Sequence, residues 1–517
     1  MARVLFHREN RIVPLGIMIF VLFLFFYHLD LEHDDPAIRG LPDLPQDLSS
    51  RQSLFREESK QEPLPAAQPS PSAVPVAPLA PSSNDDQKSS AYQPDKPKDK
   101  PKPKQEPKPQ AKQYGQLSPD DVVLLFKTGA SVLWRRLPIH LSTSFEPSRI
   151  AADNVIIYSD YPETIGSWQI IDVLENSTET VRKTDNYEPY RQQPDYEARQ
   201  VYAEMANVEG DGNGPAGGWK LDKYKFLPLI QHAGRAKPDA KWYIYIEDDG
   251  YIFLPNLLLH LEKFSWQEPW YFGGLAWKHG DYFAHGGAGF VLSRGAWEQS
   301  FGLEDDMVAK YADFTEAHGC GDHVLGHVMQ DYGINFGQTH GKSEYSWGFN
   351  PEPHWGGWFR RASWCYPLYS WHHTHSKDVA RLYNFERSWD FEKKGQMRYR
   401  DFFKAMIEPY MRERVEWWDN QSSRYELRSD NIADAQPPEG VSKQIWHGAW
   451  KSVDACEAAC VAWEGCVQWT FYEDQCRMDE NFMLGMGIPV GDLRRQTSLP
   501  RTSGWLPQRT EKWACDA

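Results

Sequence analysis

An excess of basic residues is missing from this sequence. Its 517 residues carry 72 Asp and Glu against 56 Lys and Arg, a formal net charge of −16. That balance argues against nucleic acid as a general partner. Cysteine is scarce, at seven residues. No pair of C-x-x-C hooks occurs, which speaks against a structural zinc site. Gly210 to Gly218 is glycine-rich but lacks the spacing of a phosphate-cradling motif. A small-x-small cleavage site is absent after the apolar run near the start, which disfavours a removable signal peptide.

That apolar run, Ile12 to Tyr27, would span roughly 24 Å as a helix, enough for a thin early-secretory membrane. Arg3, Arg8 and Arg11 precede it, and Asp30, Glu32, Asp34 and Asp35 follow it. The basic flank predicts a cytoplasmic tail over residues 1–11, a signal anchor over 12–28 and a lumenal remainder. Residues 29–118 are rich in Pro, Ser, Gln and Lys and poor in aromatics, so they read as a disordered stem. Within it, Lys96 to Lys112 is Pro-spaced and basic, the pattern of an extended polyproline-like spacer.

Ordered sequence begins near Asp120. Val122 to Phe126 and Asn154 to Ser159 read as strands with a crossover between them, the opening of an α/β sheet. Trp242 to Ile246 is aromatic and β-branched throughout, a strand buried on both faces. It runs into Glu247, Asp248 and Asp249. Three carboxylates at the end of a buried strand repel one another and are costly to desolvate, and a divalent cation removes that cost. Oxygen ligands suit Mg²⁺ or Mn²⁺, which commonly hold substrate phosphates as well. A solvated acidic turn is the bland alternative. Asp160 ends its strand and could meet a nucleotide base or ribose, or serve as a turn residue. Lys220, Lys223 and Lys225 open an apolar helix, and Lys223 is the candidate to face a donor diphosphate. Gly286 and Gly287 allow close backbone approach to a ligand. Asp322 begins a further apolar helix and could be only its cap.

Four motifs lie in order along this region: EDDGY at Glu247 to Tyr251, GGAGFVLS at Gly286 to Ser293, GDHVLG at Gly321 to Gly326, and SWHH at Ser370 to His373. Together they make Val122 to Asn384 resemble the fringe-like β1,3-glycosyltransferases of glycosyltransferase family 31, including core 1 β1,3-galactosyltransferases. The resemblance implies a GT-A (Rossmann-like) α/β domain over residues 119–430 and a nucleotide-sugar donor, expected to be a UDP-sugar. It further implies an inverting, β1,3-directed transfer to a glycan or glycoprotein, a Mn²⁺ (or Mg²⁺) cofactor and a Golgi-type single-pass anchor. Position by position, it implies Glu247, Asp249 and His372 as metal ligands, Asp248, Gly286 and Gly287 at the donor, and Asp322 as the base. His373 and His375 compete with His372. Glu at position 247 and Gly at 250 depart from the family pattern. A metal cluster with one separate carboxylate suits glycosyl transfer. Glycoside hydrolases instead flank one bond with two carboxylates. Of Trp347, Trp355, Trp358, Trp364 and Trp371, some could stack on an acceptor sugar. A catalytically silent, lectin-like protein of the same fold is the alternative function.

In an oxidising lumen the cysteines should pair. Cys320 and Cys365 could bond to each other. Residues 440–517 read as a small disulfide-stapled α+β module, and the tail from about Trp446 resembles an Apple/PAN module. That likeness implies Cys456–Cys476 and Cys460–Cys466, leaves Cys515 over, and suggests a protein or carbohydrate partner or simple packing on the head. Asn176 and Asn420 lie in N-glycosylation sequons.

Overall fold

The structure is a computed structural model that describes residues 117–199, 217–334, 336, 348–488 and 500–515, all within one compact unit. The predicted tail, the anchor at 12–28, nearly all of the stem and Trp347 lie outside the described residues. No described helix is long and apolar enough to cross a membrane.

The head is built on seven strands: β1 (Val122–Lys127), β2 (Val155–Ser159), β3 (Glu163–Ile165), β4 (Trp168–Asp172), β5 (Trp242–Glu247), β7 (Tyr271–Gly273) and β10 (Phe290–Ser293). Between them come β6 (Tyr251–Ile252) and a hairpin, β8 (Leu275–Lys278) with β9 (Asp281–Ala284). The sheet order is β3-β4-β2-β1-β5-β10-β7. β1 runs parallel to β2 and β5, and β10 runs antiparallel to β5. The alternation of β5 explains the layering. Tyr243 and Tyr245 pack on one face with Phe226, Leu227 and Ile230 of helix α2 (Asp222–Ala236). Trp242, Ile244 and Ile246 pack on the other with Leu133 and Leu137 of α1 (Leu133–Leu141) and Leu257 and Leu261 of α3 (Leu254–Leu261). Successive side chains point to opposite faces, so an all-apolar strand needs helices on both sides. The result is an α/β sandwich with the carboxyl ends of β1 and β5 side by side, the usual place for a ligand.

A small sheet carries the second half of the site. β11 (Phe349–Asn350), β12 (Ser370–Trp371) and β6 pair in the order β11-β12-β6. β12 is antiparallel to β6, with Trp371 opposite Tyr251. The segment after Glu247 and the segment before His372 are thereby held together.

The C-terminal region is an antiparallel sheet in the order β13-β19-β16-β17-β15. Its strands are β13 (Val415–Glu416), β15 (Tyr425–Leu427), β16 (Gln468–Tyr472), β17 (Gln475–Asp479) and β19 (Thr502–Trp505). A separate pair joins β14 (Trp418–Asp419) to β18 (Met486–Gly487). Cys456–Cys476 and Cys460–Cys466 are bonded and staple the helix Val453–Ala462 to this sheet. Two expectations need correction. Cys365 bonds Cys515 rather than Cys320, and Cys320 is a free thiol 3.3 Å from Lys278 Nζ. Packing of Trp513 against Trp364, with ring centroids 5.0 Å apart, brings the tail to Cys365. The head also does not end at 430, because β13 and β15 already belong to the module's sheet. One core joins Tyr251, Phe253, Trp364 and Trp371 of the head to Val467, Phe482, Leu484 and Trp505 of the tail. Trp364 and Trp371 are therefore core residues, Trp355 is half-buried, and Trp358 is the most exposed of the described four.

Asn420 is a third correction. It is fully buried, its Nδ2 donates to the Trp469 and Gly504 carbonyls at 2.9 and 3.3 Å, and its Oδ1 accepts from Ser422. A glycan on Nδ2 has no room in this fold. Asn176 is exposed in a turn.

Candidate active site

β5 stops at Glu247, and a turn closed by Gly250 N–H donating to the Glu247 carbonyl (2.9 Å) redirects the chain. Asp249 then faces two consecutive histidines. His372 Nε2 is 3.2 Å from Asp249 Oδ1, and His373 Nδ1 is 3.7 Å from Oδ2. In a continued strand, neighbours would point to opposite faces. His373 instead takes φ +50°, a conformation uncommon outside glycine and often functional. It folds the second ring over the first, with centroids 3.7 Å apart. Thr374 ties the two loops together, donating from N and Oγ1 to the Asp249 carbonyl at 2.7 and 2.9 Å. His375 stands outside the group, as the residue that precedes helix Ser376–Ser388.

Asp249, His372 and His373 are the described residues whose ligating atoms all lie within 4.8 Å of one another. Their chemistry fits a divalent ion. His372 Nδ1 contacts the Pro351 carbonyl at 3.0 Å. A carbonyl can only accept, so the proton is on Nδ1 and Nε2 presents a lone pair. Asp249 Oδ1 is buried and makes no aligned hydrogen bond. Two lone pairs facing each other at 3.2 Å call for a proton or cation between them. The charge state agrees. Burial alone would lower the His372 imidazole, but Asp249 and Glu247 outweigh it and raise it. Burial would raise Asp249, but His372, His373 and Arg136 hold its carboxyl well below the usual range.

Glu247 does not join this group. Its Oε2 is 3.2 Å from Lys127 Nζ and its Oε1 accepts from the Tyr245 hydroxyl at 3.0 Å. The turn after Glu247 separates it from Asp249, which corrects the expectation of a ligand there. Asp248 accepts from Thr128 Oγ1 at 2.5 Å and from Arg136 at 2.9 Å. Burial, reinforced by Asp249 and opposed by Arg136, pushes its carboxyl up to about 6. Arg136 also reaches Asp249 Oδ2 at 3.3 Å.

Beside the acidic turn, at the carboxyl ends of β1 and β5, lies a cleft of about 150 Å³. Lys127, Thr128, Arg136, Lys225, Glu247 and Asp248 are among its walls, and Trp219 stands at its edge, half-exposed. Lys223 is not there. It donates to the Glu316 carbonyl at 2.9 Å, while Lys225, two residues on, donates to the Thr128 carbonyl at 3.0 Å. Residues two apart on a helix face opposite ways, so Lys225 replaces Lys223 as the lysine at the cleft. Asp160 lies behind the wall, accepting from Ala130 N–H at 2.7 Å and standing 3.5 Å from Lys225 Nζ.

Asp322 is the second residue of helix α4 (Gly321–Asp331), and Cys320 holds the cap position. Asp322 Oδ1 accepts from His323 N–H and Oδ2 from Gly286 N–H, both at 2.8 Å. Gly286 and Gly287 make room for their neighbours. A Cβ at 286 would meet Phe226 at 2.8 Å and Glu247 Oε1 at 3.1 Å, and one at 287 would lie 2.0 Å from His372 Cε1. Lys127 and Arg136 were missed from sequence, where no local signal marks them, and Lys225 stood there only as one of three lysines.

A mixed sheet with a parallel centre, covered on both faces and carrying an acidic turn at its carboxyl edge, is the architecture of a GT-A domain. Residues 117–336 match the family model described as Fringe-like. Over that segment the head is similar to the Fringe-like family, which implies a glycosyltransferase function. His372 and His373 lie beyond the matched segment. No protein of curated function matches the chain.

Proposed function

We propose that the head transfers the sugar of a UDP-sugar to a hydroxyl of a glycan or glycoprotein, with inversion and in β1,3 linkage, aided by Mn²⁺ or Mg²⁺. The observation that carries this reading is the convergence of Asp249, His372 and His373 on one side of the turn His285–Gly287, with Asp322 on the other. Asp249 and the two histidines would hold the ion. When bound, a divalent ion supplies Lewis-acid stabilisation of the charge on the leaving diphosphate. Charge supports the need for one. Lys127, Lys225 and Arg136 face Asp160, Asp222, Glu247, Asp248 and Asp249, which leaves two negative charges. An anionic diphosphate would be repelled without a further cation. Asp322 takes the proton from the acceptor hydroxyl as it attacks. Gly286 N–H holds one carboxylate oxygen of Asp322, which fixes the carboxylate's direction.

The same proposal places the protein in a secretory-pathway membrane such as the Golgi, anchored by residues 12–28 with the head lumenal. The Fringe-like match and three disulfides favour that compartment. The C-terminal module supports the head through the shared core and could also contact the acceptor protein or glycan. The test is donor hydrolysis by the purified protein across a panel of nucleotide sugars, with and without Mn²⁺. Asp249→Ala should abolish the Mn²⁺-dependent part. Hydrolysis indifferent to both Mn²⁺ and Asp249 would remove the metal from the reading.

A further inference from the structure

His285 has no place in the roles assigned so far. It closes the hairpin β8–β9, and its backbone N–H donates to the Gly274 carbonyl at 2.7 Å, which pins it at the hairpin's base. Its Nδ1 accepts from Ala288 N–H at 3.3 Å. An accepting ring nitrogen carries no proton, so Nε2 carries it. Among the described residues no acceptor meets Nε2–H. The ring stands edge-on to His372, with centroids 5.6 Å apart. The next residue along holds Asp322 through its backbone N–H. His285 therefore borders the candidate metal group on one side and the anchor of the candidate base on the other.

In the transfer read above, the migrating sugar must lie between the metal-held diphosphate and the base. We propose that His285 recognises that sugar: its Nε2–H donates a hydrogen bond to one hydroxyl of the transferred residue and so selects among donor sugars. This rests on the nucleotide-sugar reading. A ring with a fixed tautomer and a pinned backbone offers one donor in one direction. Epimeric sugars differ in where a hydroxyl points, so one directed donor separates them. A site built to hydrogen-bond a hydroxyl rejects the analogue that lacks it there. If the ring were only packing, a phenyl group of similar shape would serve as well.

The experiment is calorimetric binding to the purified full chain with Mn²⁺, using UDP, UDP-galactose, UDP-glucose, UDP-N-acetylglucosamine and UDP-N-acetylgalactosamine as probes. His285→Phe keeps the ring and removes the donor. His285→Gln returns an N–H near the position of Nε2. In the wild type, the best and worst UDP-sugars should differ by at least about fivefold, the worth of a typical hydrogen bond. His285→Phe should collapse that ratio while UDP itself binds as before, and His285→Gln should restore part of it. A ratio unchanged in His285→Phe, or near one in the wild type, overturns the proposal. So does loss of UDP binding in His285→Phe that His285→Gln does not show, since the ring would then be structural. If wild-type protein fails to bind UDP at all, the nucleotide-sugar reading itself falls.

Discussion

Gly287→Ala tests the metal group without touching a ligand. The new Cβ would lie 2.0 Å from His372 Cε1 and 2.2 Å from Nε2, where ordinary contact starts at 3.4 Å. The ring would have to retreat by about 1.4 Å to relieve the overlap. It has little freedom to do so, being held by the Pro351 carbonyl and stacked on His373. Metal–ligand distances tolerate only about 0.2 Å, so the retreat takes Nε2 out of the ligand set. Gly287 does not have positive φ, so backbone strain adds nothing to the clash. Mn²⁺ affinity should fall at least 10–100-fold, as for loss of a ligand's support. Metal-free stability should fall by about 1–3 kcal/mol from overpacking. His372→Ala should lose the same affinity without the clash. In the double variant, Gly287→Ala should cost almost nothing further in stability, a coupling of about 1–3 kcal/mol. Denaturant titration of the metal-free proteins and Mn²⁺ calorimetry give both quantities. Wild-type Mn²⁺ affinity in Gly287→Ala would refute the reasoning.

Asp322→Asn should cut acceptor turnover by about 10²–10⁴-fold and lower the melting temperature modestly, because the amide can accept only one of the two backbone N–H bonds that Asp322 accepts; retention of more than about a tenth of turnover would return Asp322 to a helix-end role. Mn²⁺ affinity should weaken as pH falls. Metal needs a neutral imidazole, and Asp249 raises the pKa of His372, so proton competition should begin above the ordinary imidazole value of about 6.5. A flat profile between pH 6 and 8 would argue against histidine ligation. Cys365→Ser should destabilise head and module together, by about 2–4 kcal/mol, in a single unfolding transition. A separate early transition of the module would contradict the shared core. Mass analysis of protein from a glycosylating host should find glycan at Asn176 and none at Asn420.

What could be read along the chain were features that one segment carries by itself. The acidic turn follows a strand whose apolar character is local, and the glycine pair and Asp322 lie in short motifs. Misassigned residues depended on direction. Lys223 and Lys225 differ by two helical positions, and nothing local says which face meets the cleft. Glu247 and Asp249 would share a face in a straight strand, but the turn at Gly250 parts them. His373 reaches Asp249 only through its left-handed φ, which sequence does not announce. The Cys365–Cys515 bond spans 150 residues and follows from aromatic packing across the whole fold. Asn420 lies in a sequon, and only the tertiary fold reveals that its amide is already committed.

The bond between Cys365 and Cys515 has a consequence for how the chain is made. Synthesis proceeds at about 5–20 residues per second, so the 150 intervening residues take roughly 8–30 s to emerge. Throughout that interval Cys365 is an unpaired thiol with Cys320 already present upstream as a wrong partner. Cys456–Cys476 and Cys460–Cys466 close over 20 and 6 residues and need no such wait. The nascent head thus passes through a stage in which its most distant covalent tie is pending while its nearest competitor is in reach. Oxidative folding assistance would matter most during that stage, and Cys320→Ser should raise the yield of correctly bonded protein.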